Sequence, residues 1–544
     1  MKALAGALGG ALLLSAPVAH GRATVVIVNA DAPDAGFNDP TPVSPVGNNP
    51  GTTLGAQRLA VFQAAAEIWG STLESAAPIT VLSHFEPLAC DPTGAVLGSA
   101  GPTNIFASDD PALPPGVSGS VFPKPHTWYV SALGASFAGT PLVPGTGTDP
   151  ANYDILARFN STLDDPGASC NGLQWYYGLD DNHGNLIDLL TVVLHEFGHG
   201  LGFISLTDPT TGQYPQDEPD IWSYYLYDET SGRRWIDMDD AGTRAASAIS
   251  EGLFWDGPSV KAAVPVTLDV SPFRVNSATS TPSVVKAYSQ ITTAQFSGAI
   301  PTSSPITADL DIGSTRWGCT GGGKLAPLDG KIAILNRGGP SADAGCTFVE
   351  KARNAQDAGA LGLVIANNTE GPPPLIMPSG TAPDITIPVL FVTQTEGLAL
   401  QAAVDAGTVN GSIVSDPANG FLGGDQAGRG MNYAPPVFES GSSVSHWDVS
   451  AFPNLLMEPI INADLTHSLD LTVPLLHDIG WALSDGGTSF PDGGTGSPDA
   501  GTGLPEAGGG GGGSSSGCTS ALGPPAAWLA LLTLLAFVRR RRAV

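Results

Sequence analysis

The stretch HEFGHGLGF at residues 195–203 has the spacing of a metal-binding helix. His195 and His199 are four residues apart, so on a helix both imidazoles point the same way and can bind one metal ion. Glu196 is then placed to take a proton from a water that the metal activates. Residues 186–194 are mostly apolar, which is typical of a buried helix. The pattern predicts a catalytic zinc site with Glu196 as the general base.

A catalytic zinc usually takes a third protein ligand, and the local pattern does not supply it. In the sequence HExxHxxGxxH the third histidine stands three residues after the glycine, but Gly202 is followed at that position by Ser205. Glu218 is one alternative, as in thermolysin-like enzymes, although its setting in QDEPD is a poor helix. The other histidines are residues 20, 84, 126, 183, 446, 467 and 477.

One downstream histidine has a distinctive context. Residues 445–459 read SHWDVSAFPNLLMEP, with His446 eleven residues before Met457, and HDIGW follows at 477–481. Together with the HExxHxxG helix, these motifs resemble the leishmanolysin-type metzincins. The resemblance implies that His446 is the third zinc ligand and that Met457 forms the methionine turn beneath the zinc. A surface-loop histidine and an ordinary core methionine are the alternatives for these two residues.

The resemblance implies an α+β, metzincin-like zincin fold. It also implies a Zn²⁺-dependent endopeptidase that acts on protein or peptide substrates. About 240 residues separate Ser205 from His446, too many for one loop, so a further folded unit is expected between them. Residues 329–368 read as strand, helix and strand and resemble the protease-associated (PA) domain, a non-catalytic insert of several peptidases. The expected organisation is a catalytic domain in two parts, 23–260 and 416–484, interrupted by an α/β PA-type insert at 261–415.

The two ends of the chain predict export. Residues 1–22 have a lysine followed by an apolar run, as in a signal peptide. Residues 485–517 are rich in Gly, Ser, Pro, Thr and Asp and are expected to form a flexible linker. Residues 518–544 begin at Cys518, contain a short apolar run and end in arginines, and they resemble Myxo-CTERM sorting tails. A plain transmembrane anchor is the alternative, and either implies attachment at the cell surface or outer membrane, or secretion after processing.

Cysteine content and charge agree with export. Four cysteines remain besides the one in the tail, and the simplest pairing within domains joins Cys90 to Cys170 and Cys319 to Cys346. The net charge of −29 argues against nucleic-acid partners. Nothing in the sequence specifies an oligomeric state or the preferred side chain of a substrate.

A protein of another class fits some of the same features. A surface-displayed binding or adhesion protein would need the zinc only as a structural or vestigial site. The intact Glu196 favours an enzyme, because a structural zinc site has no use for a general base.

Overall fold

A computed structural model describes residues 21–484, with gaps at 93, 166, 168–169, 171, 282, 320–324, 342–344 and 370–381, together with residues 515–517 and 538–539. Most of the expected signal peptide, of the linker and of the tail, including Cys518, lies outside these residues. Within the described part of the chain, no helix combines the length and apolarity needed to cross a bilayer.

The α-helices of the described residues are distributed along the whole chain. They are α1 (Leu54–Thr72), α2 (Ser131–Ala138), α3 (Leu189–Leu201), α4 (Ala241–Ser247), α5 (Pro258–Thr267), α6 (Phe348–Asp357), α7 (Gln394–Ala406) and α8 (Thr472–Ile479).

A four-stranded sheet lies against the predicted zinc helix. Its strands are β1 (Val25–Asn29), β2 (Ile79–Glu86), β3 (Gly98–Pro102) and β4 (Ile155–Asn160), in the order β1-β2-β4-β3. The pairs β1–β2 and β2–β4 are parallel, whereas β3 runs antiparallel to β4 at the edge. Helix α1 is capped by Thr53, whose side chain accepts a hydrogen bond from the Ala56 N–H, and the helix packs on both α3 and β1.

One hydrophobic core joins two distant parts of the chain. Buried apolar side chains from residues 23–268 and from residues 421–481 form a single cluster. Helix α5 belongs to this core and packs against α8. Residues 261–268 therefore pack with the first part of the chain, and the separate core of the insert begins at Phe273, later than the boundary expected at 261.

The insert is built on a seven-stranded mixed sheet. Its strands are β5 (Phe273–Ala278), β6 (Ile291–Thr293), β7 (Ile306–Asp311), β8 (Ile332–Asn336), β9 (Gly362–Ala366), β10 (Val389–Val392) and β11 (Val409–Ile413), in the order β5-β11-β7-β8-β9-β10-β6. Strands β7 to β10 are mutually parallel, and α6 and α7 connect or flank them. Helix α6 begins with a capping box between Thr347 and Glu350. Two apolar clusters formed by this sheet are separate from the first core.

Smaller sheets and two disulfides complete the described architecture. A four-stranded sheet combines Leu226–Asp228, Arg233–Arg234, Leu253–Trp255 and Gly430–Met431. Short strands also form pairs: Leu73–Glu74 with Ala482–Leu483, Cys90–Asp91 with Gly94–Ala95, Ile105–Phe106 with Tyr129–Val130, and Trp175–Tyr176 with Ile187–Asp188. In a small three-stranded sheet, Ser515–Gly517 pairs with both Ile460–Ile461 and Val538–Arg539. Both expected disulfides, Cys90–Cys170 and Cys319–Cys346, are present.

Candidate metal centre

Helix α3 is fixed at both ends by polar contacts. The Asp188 carboxylate caps its start by accepting a hydrogen bond from the Leu190 N–H at 3.0 Å. At its end Gly202 has φ +119°, a left-handed conformation that suits glycine and turns the chain sharply. The indole N–H groups of Trp222 and Trp481 donate to the carbonyls of Gly202 and Leu201, at 2.7 and 2.8 Å. Trp481 belongs to the HDIGW motif, so this motif closes the helix.

Three histidines converge at one point on this helix. The Nε2 atom of His199 lies 3.1 Å from Nε2 of His195 and 3.2 Å from Nε2 of His446. All three side chains are fully buried. The tertiary structure thus brings His446, 247 residues from His199 in sequence, to the position that Ser205 leaves open.

The opposite nitrogen of each ring fixes its tautomer. Nδ1 of His195 lies 2.7 Å from the Leu456 carbonyl, Nδ1 of His199 lies 2.8 Å from that of Phe203, and Nδ1 of His446 lies 2.9 Å from that of Ser442. A carbonyl only accepts hydrogen bonds, so each Nδ1 carries the proton and donates it. In neutral rings the three Nε2 atoms are then unprotonated.

Burial keeps these rings neutral. It lowers the pKa of His199 to about 4, and it lowers the pKa of His195 and of His446 well below the usual value, with further repulsion from the neighbouring imidazoles. Three lone pairs therefore face one another at close range without a proton between them. Such an arrangement is repulsive by itself, and a bound cation would stabilise it.

The donor set and spacing fit zinc. Two nitrogens bonded to one zinc at 2.0–2.1 Å in tetrahedral geometry lie about 3.3 Å apart, close to the separations of 3.1 and 3.2 Å found here. Carbonyl partners on the far nitrogens are the usual second shell of zinc-bound histidine. His195, His199 and His446 would hold the metal and leave a fourth position for water or substrate.

The segment that carries His446 is hydrogen-bonded to the helix exit and to Met457. The Ser205 N–H donates to the Ser445 hydroxyl at 3.1 Å, so Ser205 links the two segments instead of binding metal. The Trp447 N–H donates to the Met457 carbonyl at 2.9 Å. The buried Trp447 ring contacts Phe203 edge to face, with ring centroids 5.4 Å apart.

Met457 is fully buried and lies against α3 between its two histidines. A Cβ atom added at Gly198 would lie only 2.8 Å from the Met457 sulfur. Glycine at 198 therefore lets the segment of Leu456 and Met457 approach the helix closely enough for the Leu456 carbonyl to reach His195.

We expect Gly198→Ala to destabilise the protein by about 1–3 kcal/mol, because the added methyl overpacks a buried contact. The free energy of unfolding from denaturant titration measures this. Gly252→Ala is the matched control, since a Cβ at Gly252 meets its nearest atoms at an ordinary 3.6–3.8 Å. Equal stability of the two variants would show that Met457 does not press against this helix.

Glu196 lies beside the edge of the four-stranded sheet. Its Oε2 accepts a hydrogen bond from the Ala100 N–H of β3 at 2.7 Å. This N–H therefore points away from β4 and toward α3. The structure identifies β3 as the strand that lies over the site, which the sequence did not. Glu196 is only 1% exposed and the histidines are fully buried, so the site is closed to solvent in this structure.

The other candidate residues lie elsewhere. Glu218, the alternative third ligand, contacts His126 with Oε1 3.1 Å from Nδ1, in a cluster separate from the three histidines. His467 and His477 bind Asp188 and Ser259. The carbonyls of Leu456, Phe203 and Ser442 were missed by sequence reasoning because every residue has a carbonyl, and only its position gives it this role.

One protein-family model matches part of the insert. The PA domain family model matches residues 303–400. The chain is 38% identical over 84 residues to the ER degradation-enhancing alpha-mannosidase-like protein 3 of Xenopus laevis, covering 14% of this chain and 8% of that protein. It is 34% identical over 80 residues to the minor extracellular protease Vpr of Bacillus subtilis (strain 168), covering 15% and 9%. This chain thus spans less than a tenth of the length of these two relatives.

Among solved structures, an aminopeptidase from Aneurinibacillus sp. strain AM-1 is 30% identical over 22% of this chain and 26% of its own, with a TM-score of 0.18. A TM-score this low assigns neither a fold nor an activity to the rest of the chain. Within a mixed α/β protein, residues 303–400 are therefore a PA domain.

Proposed function

We propose that this chain is an exported zinc endopeptidase of the leishmanolysin-like metzincin type, with a PA domain inserted into its catalytic domain. The observation that carries the proposal is the convergence of three unprotonated Nε2 atoms beside Glu196. The HWxxx…LM motif around His446 and Met457 and the HDIGW segment support the metzincin type.

Zinc held by the three histidines would lower the pKa of a bound water and polarise the scissile carbonyl. Glu196 takes a proton from the attacking water and passes it to the leaving amine. Its Oε2 bond to Ala100 keeps the carboxylate beside the edge strand. A peptide that adds to β3 as a further strand would place its carbonyl next to Glu196.

The closed site has a consequence for substrate entry. Because Glu196 and the three histidines are buried, a peptide reaches them only when the enclosing segments move apart. The PA domain has no part in the chemistry of this proposal, and its role is to control the access of large substrates. A variant without residues 273–413 should still cleave a short peptide and should differ from the full chain only on folded proteins.

The cheapest test of the proposed function is hydrolysis of casein by the purified full chain. Cleavage within the casein chain should occur, stop with a chelator, and return when Zn²⁺ is added back. The release of single amino acids alone would point to an exopeptidase. A folded, zinc-loaded protein that cleaves neither casein nor short peptides would overturn the proposal.

A binding protein with a structural zinc is the second candidate, and the complete burial of the histidines favours it. Structural zinc sites, however, are usually closed by four protein ligands, whereas this cluster consists of three histidines, and the described residues add no fourth His, Cys, Asp or Glu to it. The casein experiment separates the two candidates directly.

We also propose that the protein is exported and attached to the cell surface through its tail. The signal-like residues 1–22 and the tail from Cys518 support this, and the two disulfides suit an oxidising compartment. Deletion of residues 518–544 should move the protein from the cells into the medium with its activity intact. Retention on the cells after this deletion would exclude the tail as the anchor.

A further inference from the structure

A second cluster of metal-ligand side chains lies away from the three zinc histidines. The Nδ1 atom of His126 lies 2.8 Å from Oδ2 of Asp109 and 3.1 Å from Oε1 of Glu218. The three ligand atoms all lie within 4.8 Å of one another. They come from three different segments of the chain, so the tertiary structure assembled the cluster.

His126 cannot donate a good hydrogen bond to both carboxylates of the cluster at once. Nδ1 of an imidazole carries one proton at most, so it makes one good hydrogen bond, yet two carboxylate oxygens face it. Among the ion pairs of the described residues, neither Asp109 nor Glu218 has a lysine or arginine partner. A single Nδ1 proton therefore faces two carboxylates. A dication in the same place would bond all three atoms and offset both negative charges.

The distances also suit a metal. Ligand atoms bonded to one zinc at about 2.0–2.2 Å lie about 3.0–3.4 Å apart for angles of 90–110°. The nitrogen–oxygen distances of 2.8 and 3.1 Å are near this range. One imidazole with two carboxylates is a donor set for zinc or a similar transition metal, whereas calcium prefers oxygen ligands alone.

The surrounding backbone holds the three residues in place. The His126 N–H donates to the Ser108 hydroxyl at 3.0 Å, which fixes His126 beside Asp109. The Trp128 N–H donates to the Pro219 carbonyl at 2.9 Å, which holds the segment of His126 against that of Glu218. His126 itself has φ +50°, an uncommon conformation for a residue with a side chain.

We infer that Asp109, His126 and Glu218 form a second cation site, which takes a transition-metal dication of the zinc class, with water completing its coordination. The side chains are partly or largely exposed, so water and metal reach them from solvent. This site is distinct from the centre formed by His195, His199 and His446.

The position of this site suggests what the cation does. Two residues beyond Glu218, the buried Asp220 accepts hydrogen bonds from the N–H groups of Leu206 and Thr207, at 2.5 and 2.8 Å. These two residues belong to the segment that leaves α3, which ends at Leu201. A cation that joins residues 109 and 126 to residue 218 therefore braces the segment that supports the helix exit, and it would stabilise that part of the fold without taking part in catalysis.

The test is the metal content of the purified full chain after equilibrium dialysis against buffered Zn²⁺. The wild type should hold two zinc equivalents, and Glu218→Gln and Asp109→Asn should each hold one. Glu67→Gln is the matched control, because Glu67 is an exposed glutamate whose ion pair, with Arg22, is long at 3.8 Å, and it should keep two. Addition of Ca²⁺ should not displace the second equivalent.

A further variant distinguishes the two metal sites. His446→Ala should lose one equivalent and keep the one that Glu218→Gln loses, and the double variant should lose both. If the three-histidine site is wrong, His446→Ala keeps the wild-type zinc content. If the second site is wrong, Glu218→Gln keeps it. Equal zinc content in the wild type and Glu218→Gln would overturn the second site and leave a protonated His126 between two carboxylates. Displacement by Ca²⁺ would overturn its assignment to a zinc-class ion.

Discussion

His446→Ala should remove one zinc equivalent per chain and nearly all peptidase activity. Loss of a group that only hydrogen-bonds to a ligand typically costs about 10- to 100-fold in metal affinity, so loss of a direct ligand should cost more. His195 and His199 alone would bind zinc weakly, because such a site normally has three protein ligands. Zinc content by elemental analysis and peptide hydrolysis measure the two effects.

The matched control for this prediction is His477→Ala. His477 is exposed, and its Nδ1 lies 2.8 Å from the Ser259 hydroxyl, away from the three converging imidazoles. This variant should keep its zinc and its activity. An unchanged zinc content in a folded His446→Ala protein would mean that another residue supplies the third bond, and the metzincin assignment would fail with it.

Glu196→Gln should retain the zinc and lose activity by about 100-fold or more, the usual contribution of a general base. The amide is nearly the same size as the carboxylate, and its oxygen can still accept the Ala100 N–H, so the fold should be unchanged. It cannot take a proton from water at neutral pH. The expected signature is a fall in kcat at constant zinc content.

Glu67→Gln is the control, since it makes the same chemical change on an exposed residue of α1. It should match the wild type in zinc content and in kcat. A Glu196→Gln protein with wild-type kcat would remove Glu196 from the proposed mechanism. A protein that loses its zinc instead would show that the carboxylate supports the metal site and would leave the general base to be sought elsewhere.

Local sequence determined the elements that carry the site. The apolar run before HEFGH predicts a buried helix, and α3 spans Leu189–Leu201 with every residue buried. Continuous apolar runs predict strands of the insert, and apolar residues at helical spacing predict the helix between them. In the structure β8, α6 and β9 lie at 332–336, 348–357 and 362–366. These features follow from periodicity and capping, which act over a few residues, so one segment of sequence contains the information.

The sequence motifs also pointed to His446 and Met457, but only as a resemblance. Their contacts depend on a chain that leaves the first hydrophobic core near Leu268 and returns at Phe421. No local pattern encodes that return. It follows from the burial of two distant stretches in one core.

Only the tertiary structure decided which groups surround the candidate site residues. The three carbonyls that orient the imidazoles, the edge strand β3 beside Glu196 and the cluster of Asp109, His126 and Glu218 all join residues far apart in sequence. Sequence reasoning offered Glu218 as a zinc ligand beside His199, and the structure places it with His126 instead. The physical reason is that a side chain's identity states what it can bond, whereas packing of the whole chain decides which atoms come within about 3 Å of it.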